Sequence, residues 1–448
     1  MADGEQKAAI ILAAGEGKRM KSALPKVLHM VAGRPILGHV MAAVRAAGVS
    51  RIVVVTAPQA ESVREFARAQ GAQPVVQDRQ LGTGHAAAAA APALEDFSGE
   101  AIVTYGDMPL VRPEIFAASF AARARRGMAI VAFRSKNPAY GRVIADNDGL
   151  LDRIVEYRDA NEAERMVDLC NAGIMAADAQ SLFRWARRLK NDNAQHEYYL
   201  TDVPLMAKAD GVRCAIVTAR EEDMMGVNAR SELAAAEAEM QKRLRAQALD
   251  NAVGMTAPET VFLCSDTVLE PDCFIEPYVV FGPGVTVRSG ARIRAFSHLE
   301  GCDVGKGAIV GPYARIRPGS VLEDDVHIGN FVEVKKTRVE KGAKANHLAY
   351  LGDARVGARA NIGAGTITCN YDGFDKYETG IGAGAFIGSN TALVAPVKIG
   401  DGAIVGAGSV ITGDVTKDAL AVERNEQREI ENWAARFRAR KQAEKRKK

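Results

Sequence analysis

A chain of 448 residues exceeds what one ordinary hydrophobic core fills, so two or three domains are expected. Its 48% hydrophobic and 25% charged residues are the balance of a soluble globular protein, and a net charge of +3 is too small to point to a nucleic-acid partner. The six cysteines (Cys170, Cys214, Cys264, Cys273, Cys302 and Cys369) form no CxxC pair, which argues against a zinc site or disulfide framework and fits the reducing cytoplasm.

The first apolar run, Ala8 to Ala14, is too short and too soon broken by glycine for a signal peptide or membrane span. It reads as a buried strand followed by the turn Gly15-Glu16-Gly17-Lys18-Arg19-Met20. Such a turn lets backbone N–H groups approach an anion closely. It has neither the third glycine of the dinucleotide fingerprint nor the GK[ST] of a P-loop. With Leu24-Pro25-Lys26 downstream, the stretch L-A-A-G-x-G-x-R-M…P-K resembles the signature of the sugar nucleotidyltransferases. That resemblance implies that Leu12, Ala13, Ala14 and Gly15 wrap a nucleoside triphosphate, and that Arg19 and Lys26 neutralise its phosphates during catalysis. Lys18 stands where the family more often has Thr.

Strands and helices then alternate. Arg51 to Thr56 reads as a strand, Glu61 to Gln70 as a helix, Gln73 to Gln77 as a strand, Gly84 to Leu94 as a helix and Ala101 to Tyr105 as a strand. This rhythm predicts a Rossmann-like α/β domain with a mostly parallel sheet and ligands at the strands' carboxyl ends. Asp107 lies at such an end, where a carboxylate can hold Mg²⁺ against phosphate oxygens. By resemblance, Tyr105-Gly106-Asp107 is the metal-binding turn and Asn228 the second metal ligand. Gln77, Gly82 and Thr83 match the segment that reads the uracil edge, and His85 reads as packing at the helix entry. Tyr140-Gly141-Arg142, Ile154-Val155-Glu156 and Asn171-Ala172-Gly173 match positions around an amino sugar, with Gly141, Glu156 and Asn171 as contacts and Tyr199 and Thr201 as further candidates. The implied reaction is in-line attack by a sugar-1-phosphate on the α-phosphorus of UTP, for which the protein chiefly positions and neutralises.

From Ser231 to Leu249 strong helix formers run without Gly or Pro, a connector of about 28 Å at 1.5 Å per residue. Beyond it, apolar residues recur in steps of six: Ile275, Phe281, Val287, Ile293 and Leu299, then, after one five-residue step, Val304, Val310, Ile316, Leu322, Ile328 and Val334. The pattern resumes at Leu351, Val356 and Ile362, and again from Ile381 to Ile411. Neither a helix nor an alternating strand has that period; short strands with tight turns, stacked as a parallel β-helix, do. The crossover rule favours right-handed coils. Resemblance to the hexapeptide-repeat acyltransferases implies instead a left-handed triangular prism that assembles as a homotrimer. The segment Ala345 to Asp353 reads as an interruption of the period.

Across Arg317 to Tyr371 the chain resembles the acetyltransferase half of the bacterial bifunctional enzymes that join a glucosamine-1-phosphate acetyltransferase to an N-acetylglucosamine-1-phosphate uridyltransferase. The ladder before Ile316 is about one coil shorter than that family's, and Glu423-Arg424-Asn425 replaces a more usual small residue–Arg pair. Carried over, His347 is the base that takes a proton from the sugar amine, a task suited to an imidazole with its ordinary pKa of about 6.5. Arg317, Lys335, Tyr350 and Asn361 would hold glucosamine-1-phosphate, and Glu333 would orient His347. Ala364, Asn370, Tyr371, Ser389, Ala407 and Arg424 match contacts to acetyl-CoA. The loop Thr368 to Lys376 is expected to leave the prism; Cys369 beside it is not needed as a nucleophile, because acetyl-CoA can transfer directly.

The expected organisation is therefore a uridylyltransferase domain over 1–229, a helical linker over 230–250 and a left-handed β-helix acetyltransferase over 251–448 ending in a solvated, partly disordered basic tail. The implied substrates are glucosamine-1-phosphate, acetyl-CoA, N-acetylglucosamine-1-phosphate and UTP with Mg²⁺, the product UDP-N-acetylglucosamine, and no nucleic acid or membrane insertion is expected. The alternative is a single-activity nucleotidyltransferase whose β-helix only trimerises it.

Overall fold

The computed structural model describes residues 6–138 and 140–446. The chain forms two compact units: one runs to Ala246 and includes Leu263–Ser265, and the other comprises Gln247–Phe262 and continues from Asp266.

The first unit is built on nine strands: β1 (Gln6–Ala13), β2 (Arg51–Thr56), β3 (Gln73–Val76), β4 (Gly99–Tyr105), β5 (Gly127–Arg134), β6 (Arg142–Ala145), β7 (Leu151–Val155), β8 (Leu169–Asp178) and β9 (Arg213–Ala219). Seven of them lie in the order β9-β5-β8-β4-β1-β2-β3, and the hairpin β6–β7 is attached to β8. β1 runs parallel to both neighbours, while β8 runs antiparallel between β4 and β5.

β1 explains why the first apolar run lacks alternation. Ala8, Ile10 and Leu12 face one hydrophobic layer, and Ala9, Ile11 and Ala13 face the other. A parallel strand covered by helices on both faces has no polar side. Burying Ile10 and Ile11 contributes roughly 1.5–3 kcal/mol each. The helix expected over 84–94 ends earlier, at Ala89, and a short 3-10 turn, Ala91–Leu94, follows. Pro92 is the cause: it has no N–H to donate, and its ring collides with the preceding turn. The helix Arg230–Asp250 packs Leu233, Ala236 and Met240 against Met20, Val31, Ile36, Leu110 and Val227.

The second unit stacks its short strands into three parallel sheets. In one, Met255, Ile275, Ile293, Val310, Ile328, Ala345, Ile362, Ile387, Val405 and Ala421 lie in register on successive coils. In the second, Phe281, Leu299, Ile316, Val334 and Leu351 are so aligned, and in the third Leu269, Val287, Val304, Leu322, Val339, Val356, Ile381 and Ile399. Every position of the expected ladder is buried.

The period is not interrupted before His347, because Val339 and Ala345 continue the columns and Ala345 is 1% exposed. A small residue fills that rung, so the stretch only looks irregular in sequence. The basic end is not disordered over its described length: Trp433–Arg446 forms a helix, exposed along its whole length. Its Ala, Arg, Lys and Gln residues are strong helix formers. The loop after Cys369 does leave the coil, with residues 371–378 exposed before the strand Thr379–Ile381 resumes the ladder.

Candidate active sites

The carboxyl ends of β1 and β4 border two adjoining cavities in the first unit. One, of about 240 Å³, is lined by Leu12, Ala13, Ala14, Gly15, Lys26, Gln77, Gln80, Gly82, Thr83, Tyr105, Asp107 and Glu197, with Val27 and Ala86. The other, of about 250 Å³, is lined by Tyr105, Asp107, Met108, Tyr140, Gly141, Glu156, Asn171, Ala172, Met224, Gly226 and Asn228. Tyr105 and Asp107 belong to both.

Lys26 stands at the junction. Its Nζ donates to Asp107 Oδ2 at 2.5 Å and to Asn228 Oδ1 at 2.9 Å. The two residues read as metal ligands are thus converged on one positive charge, and both offer the hard oxygen donors that suit Mg²⁺. Among the described residues no group of three or more His, Cys, Asp or Glu side chains is arranged for a metal. Gly17 permits the approach of Lys26: its φ is +62°, and a Cβ there would lie 2.8 Å from Lys26 Cβ.

Tyr105 is half-buried between the two cavities. Burial, and then the nearby Glu156 and Asp107 charges, push its phenol well above the ordinary tyrosine range, so it stays neutral and acts as a partition. Gly173 makes room for it, since a Cβ there, at φ +73°, would sit 1.9 Å from Tyr105 Cε2. Burial also raises the Glu156 carboxyl, opposed by the Thr201 hydroxyl, which donates to Glu156 Oε1 at 3.1 Å.

Gln77 is buried, and its Nε2 is already engaged by Gly82 O at 3.2 Å and His85 Nδ1 at 3.0 Å. Only its carbonyl oxygen remains for a ligand, and His85 holds the amide rather than merely packing. Gly106 lines neither cavity; its N–H donates to Leu12 O at 2.9 Å and fixes the turn that presents Asp107. Arg19 is exposed and also outside both cavities. Lys18 pairs with Glu16 at 2.5 Å on the surface. Neither Tyr199 nor Thr201 lines the second cavity: Tyr199 Oη accepts from Gln195, and the Thr201 hydroxyl donates to Glu156. Gln80 was not singled out in the sequence, yet its amide closes over the loop by donating to Ala14 O at 2.5 Å.

In the second unit His347 ends the strand Lys344–His347 and is exposed. Its Nδ1 meets Asn330 Oδ1 at 2.9 Å, from the residue in register on the preceding coil. With that oxygen as acceptor, the proton sits on Nδ1 and the Nε2 lone pair is left free. Glu333 does not orient His347. Its carboxylate is taken by Arg317 at 2.8 Å, with Arg315 at 3.9 Å, because those residues stack beside it on the same sheet. Asn330 is the partner that sequence reasoning missed.

Arg317, Lys335 and Tyr350 lie on that sheet, Asn361 on the neighbouring one, and His347 at the corner between them. Gly352 has no side chain to block the Tyr350 ring, whose Oη lies 2.4 Å from where a Cβ would be. Successive backbone bonds from Leu348 to Asn330, Gly365 to His347, Asn390 to Ala364 and Gly408 to Ser389 place Asn330, His347, Ala364, Ser389 and Ala407 on one edge of the prism. Arg424 reaches this edge by donating to Ala407 O at 2.6 Å. The Asn370 amide is pinned to Asp353 Oδ2 at 2.5 Å, and Tyr371 is exposed on the loop. A broader concavity of about 530 Å³ on the third sheet, around Glu340, Arg355, Lys398 and Asp401, holds none of these residues.

The model for a MobA-like NTP transferase domain matches residues 9–177, and the bacterial transferase hexapeptide model matches residues 301–336 and 378–413. The hexapeptide match gives the coil its hand: it is a left-handed parallel β-helix, against the general right-handed crossover preference. The chain is similar to the bifunctional protein GlmU of Paramagnetospirillum magneticum, 52% identical over 447 residues and 98% of each chain. It is 55% identical to that of Acidiphilium cryptum over 436 residues, 96% of this chain and 98% of the relative. With that of Zymomonas mobilis it shares 46% identity over 439 residues, covering 97% and 98%.

Proposed function

This chain belongs to the family of bifunctional GlmU proteins, and we propose which of its residues carry each of the two reactions. It is a multifunctional transferase with a uridyltransferase and an acetyltransferase activity. The reading in which the β-helix is only a scaffold is not favoured, because bifunctional relatives match this chain along nearly its whole length.

In our reading residues 1–229 carry uridylyl transfer, 230–250 link, and 251–448 carry acetyl transfer. The cavity beneath Leu12–Gly15 takes UTP, with Gln77, Gly82 and Thr83 at the uracil. The adjoining one takes N-acetylglucosamine-1-phosphate against Gly141, Glu156 and Asn171. Asp107 and Asn228 would hold Mg²⁺, which supplies neutralising charge to phosphate oxygens. Lys26, already between the two oxygens, brings a second positive charge to the cavity junction. Arg19, exposed on the glycine turn, meets the outer phosphates. Sugar phosphate and UTP α-phosphorus are thereby held in line, and pyrophosphate leaves.

For acetyl transfer, glucosamine-1-phosphate is bound by Arg317, Lys335, Tyr350 and Asn361. Acetyl-CoA lies along the edge of Ala364, Ser389 and Ala407, with Asn370, Tyr371 and Arg424. Three coil steps from His347 to Ala407 span roughly 14 Å at about 4.8 Å per strand, a length suited to an extended cofactor arm. His347 Nε2 takes a proton from the amine as its nitrogen attacks the thioester carbonyl; the C–S bond breaks and CoA leaves. We also propose a homotrimer. Supporting this is the exposed stack of Tyr278, Phe296, Tyr313 and Phe331 along the prism, with ring centroids 5.0, 4.9 and 5.3 Å apart, an apolar stripe that assembly would cover. Cytoplasmic location is supported by six free cysteines, five of them buried, and no described helix is long and apolar enough to cross a membrane.

The observation that carries the assignment is the convergence of Lys26, Asp107 and Asn228 where the two cavities meet. The test follows free CoA thiol and pyrophosphate separately in wild type, Asp107→Ala and His347→Ala. With thiol release read from glucosamine-1-phosphate and acetyl-CoA, and pyrophosphate release read separately from UTP and supplied N-acetylglucosamine-1-phosphate, Asp107→Ala should lose only pyrophosphate release and His347→Ala only thiol release. Loss of both signals in either variant would refute the division.

A further inference from the structure

The hairpin β6–β7 carries two of the three proposed sugar contacts, Gly141 at its entry and Glu156 at its exit, while Asn171 lies on β8. Its attachment to the main sheet is slender. A single register pair, Arg142 with Cys170, joins β6 to β8, supported by the Asn171 N–H donating to Gly141 O at 2.9 Å. Arg142 pairs on its other side with Val155. Position 142 is therefore the crossing point of all three segments.

Its side chain repeats that pattern. Arg142 is 2% exposed and Cys170 wholly buried. Nη1 donates to Cys170 Sγ at 2.7 Å, to Asn137 O at 3.2 Å and to Tyr140 O at 3.3 Å, and the guanidinium lies 5.1 Å from the Tyr157 ring centroid. One buried group thus touches the chain neighbour of each proposed sugar contact: Tyr140 beside Gly141, Tyr157 beside Glu156, and Cys170 beside Asn171. Burial raises the Cys170 thiol against the opposing pull of Arg142, so the sulfur is neutral and accepts the bond while its own proton faces Ser135 O at 3.3 Å.

The arrangement is costly. No carboxylate among the described residues pairs with Arg142, and its buried Nε has no hydrogen-bond partner there. A position needed only for packing would be served as well or better by an apolar side chain of similar length. Arg142 lines neither cavity, so it cannot bind sugar itself. We propose that Arg142 is a positioning residue for the sugar subsite, its guanidinium fixing the spacing of the Gly141, Glu156 and Asn171 segments. This rests on the proposed reading of those three residues as sugar contacts.

The test uses the full chain and measures uridylyl transfer with each substrate varied in turn. Arg142→Met should raise KM for N-acetylglucosamine-1-phosphate about tenfold or more, since displacements near 1 Å in a positioning shell have large effects. KM for UTP should change less than about twofold, the unfolding midpoint should not fall, and acetyl transfer, read as CoA thiol release, should be unchanged. Arg142→Lys should recover part of the loss by restoring one donor. Cys170→Ser, which keeps an acceptor, should stay near wild type, whereas Cys170→Val should show the sugar-selective KM rise. If Arg142→Met does not fold, the cysteine pair decides by the same criterion. Equal changes in both KM values, or none in the sugar KM, would overturn the proposal. Asn171→Ala separates the two levels: if it leaves the sugar KM unchanged the sugar-site reading fails, whereas a rise there without one in Arg142→Met defeats only the positioning role.

Discussion

Replacing Asn330 with Ala removes the acceptor 2.9 Å from His347 Nδ1 and leaves every proposed substrate contact in place. An ordinary neutral hydrogen bond contributes a net ~0.5–1.5 kcal/mol at a site open to water. Spread over the orientations and tautomers of an exposed imidazole, its loss lowers the population with a free, correctly aimed Nε2 by about 2- to 13-fold. The kcat of acetyl transfer should fall by that factor, while KM for glucosamine-1-phosphate and for acetyl-CoA stays within about twofold. Asn330→Gln, whose longer amide cannot reproduce the contact, should behave like the alanine variant. The assay is CoA thiol release under saturation, with pyrophosphate release from supplied N-acetylglucosamine-1-phosphate as a control that should not change. An unaltered kcat, or a fall confined to KM, would refute the orienting role. Glu333→Gln provides the contrast: it should act through Arg317, raising KM for the sugar phosphate with little effect on kcat.

Three further outcomes follow from the first unit. Gly173→Ala places a Cβ 1.9 Å from Tyr105 and in the left-handed region, so strain and overpacking together should cost about 2–5 kcal/mol and abolish pyrophosphate release, read by thermal unfolding and the pyrophosphate assay. The Glu156 carboxyl is raised by burial in the folded state, so the folded protein holds this proton to higher pH than the unfolded chain. Its contribution to stability is therefore lost as pH rises from the ordinary carboxylate value through the raised one. Glu156→Gln should then raise the unfolding midpoint at neutral pH, by about 2–4 °C per kcal/mol relieved, while weakening sugar binding. Finally, a chelator should abolish pyrophosphate release and leave thiol release intact; equal loss of both would count against Asp107 and Asn228 as the metal pair.

How much of this was legible in sequence depended on whether the signal was local. The hexad ladder was, because each rung must be filled by one side chain, and Ile275 through Ile411 fell into the columns expected. β1 was legible because a strand covered on both faces is apolar throughout. Ala345 escaped, since a small residue satisfies a rung without looking hydrophobic. Pro92 ended a helix that alanine content alone would have carried on. Asn330 escaped for a different reason: it meets His347 only through the stacking of one coil on the next, and nothing in its own neighbourhood marks it. Glu333 was the more chemically obvious partner, yet the same stacking delivers it to Arg317. Gln80 and the inward engagement of Gln77 likewise depend on how a loop folds back over β1. Lys26 was marked in sequence by its motif; its place between Asp107 and Asn228 required the fold.

If the two sites act independently and are linked only by a free intermediate, each should be able to serve a different molecule. The most direct measurement mixes His347→Ala protein with Asp107→Ala protein and supplies glucosamine-1-phosphate, acetyl-CoA, UTP and Mg²⁺. Each variant alone should form no UDP-N-acetylglucosamine. The mixture should form it after a lag in which N-acetylglucosamine-1-phosphate accumulates in solution. A mixture as inactive as its parts, although each variant retains its own half-reaction, would mean that the intermediate does not pass freely between the sites.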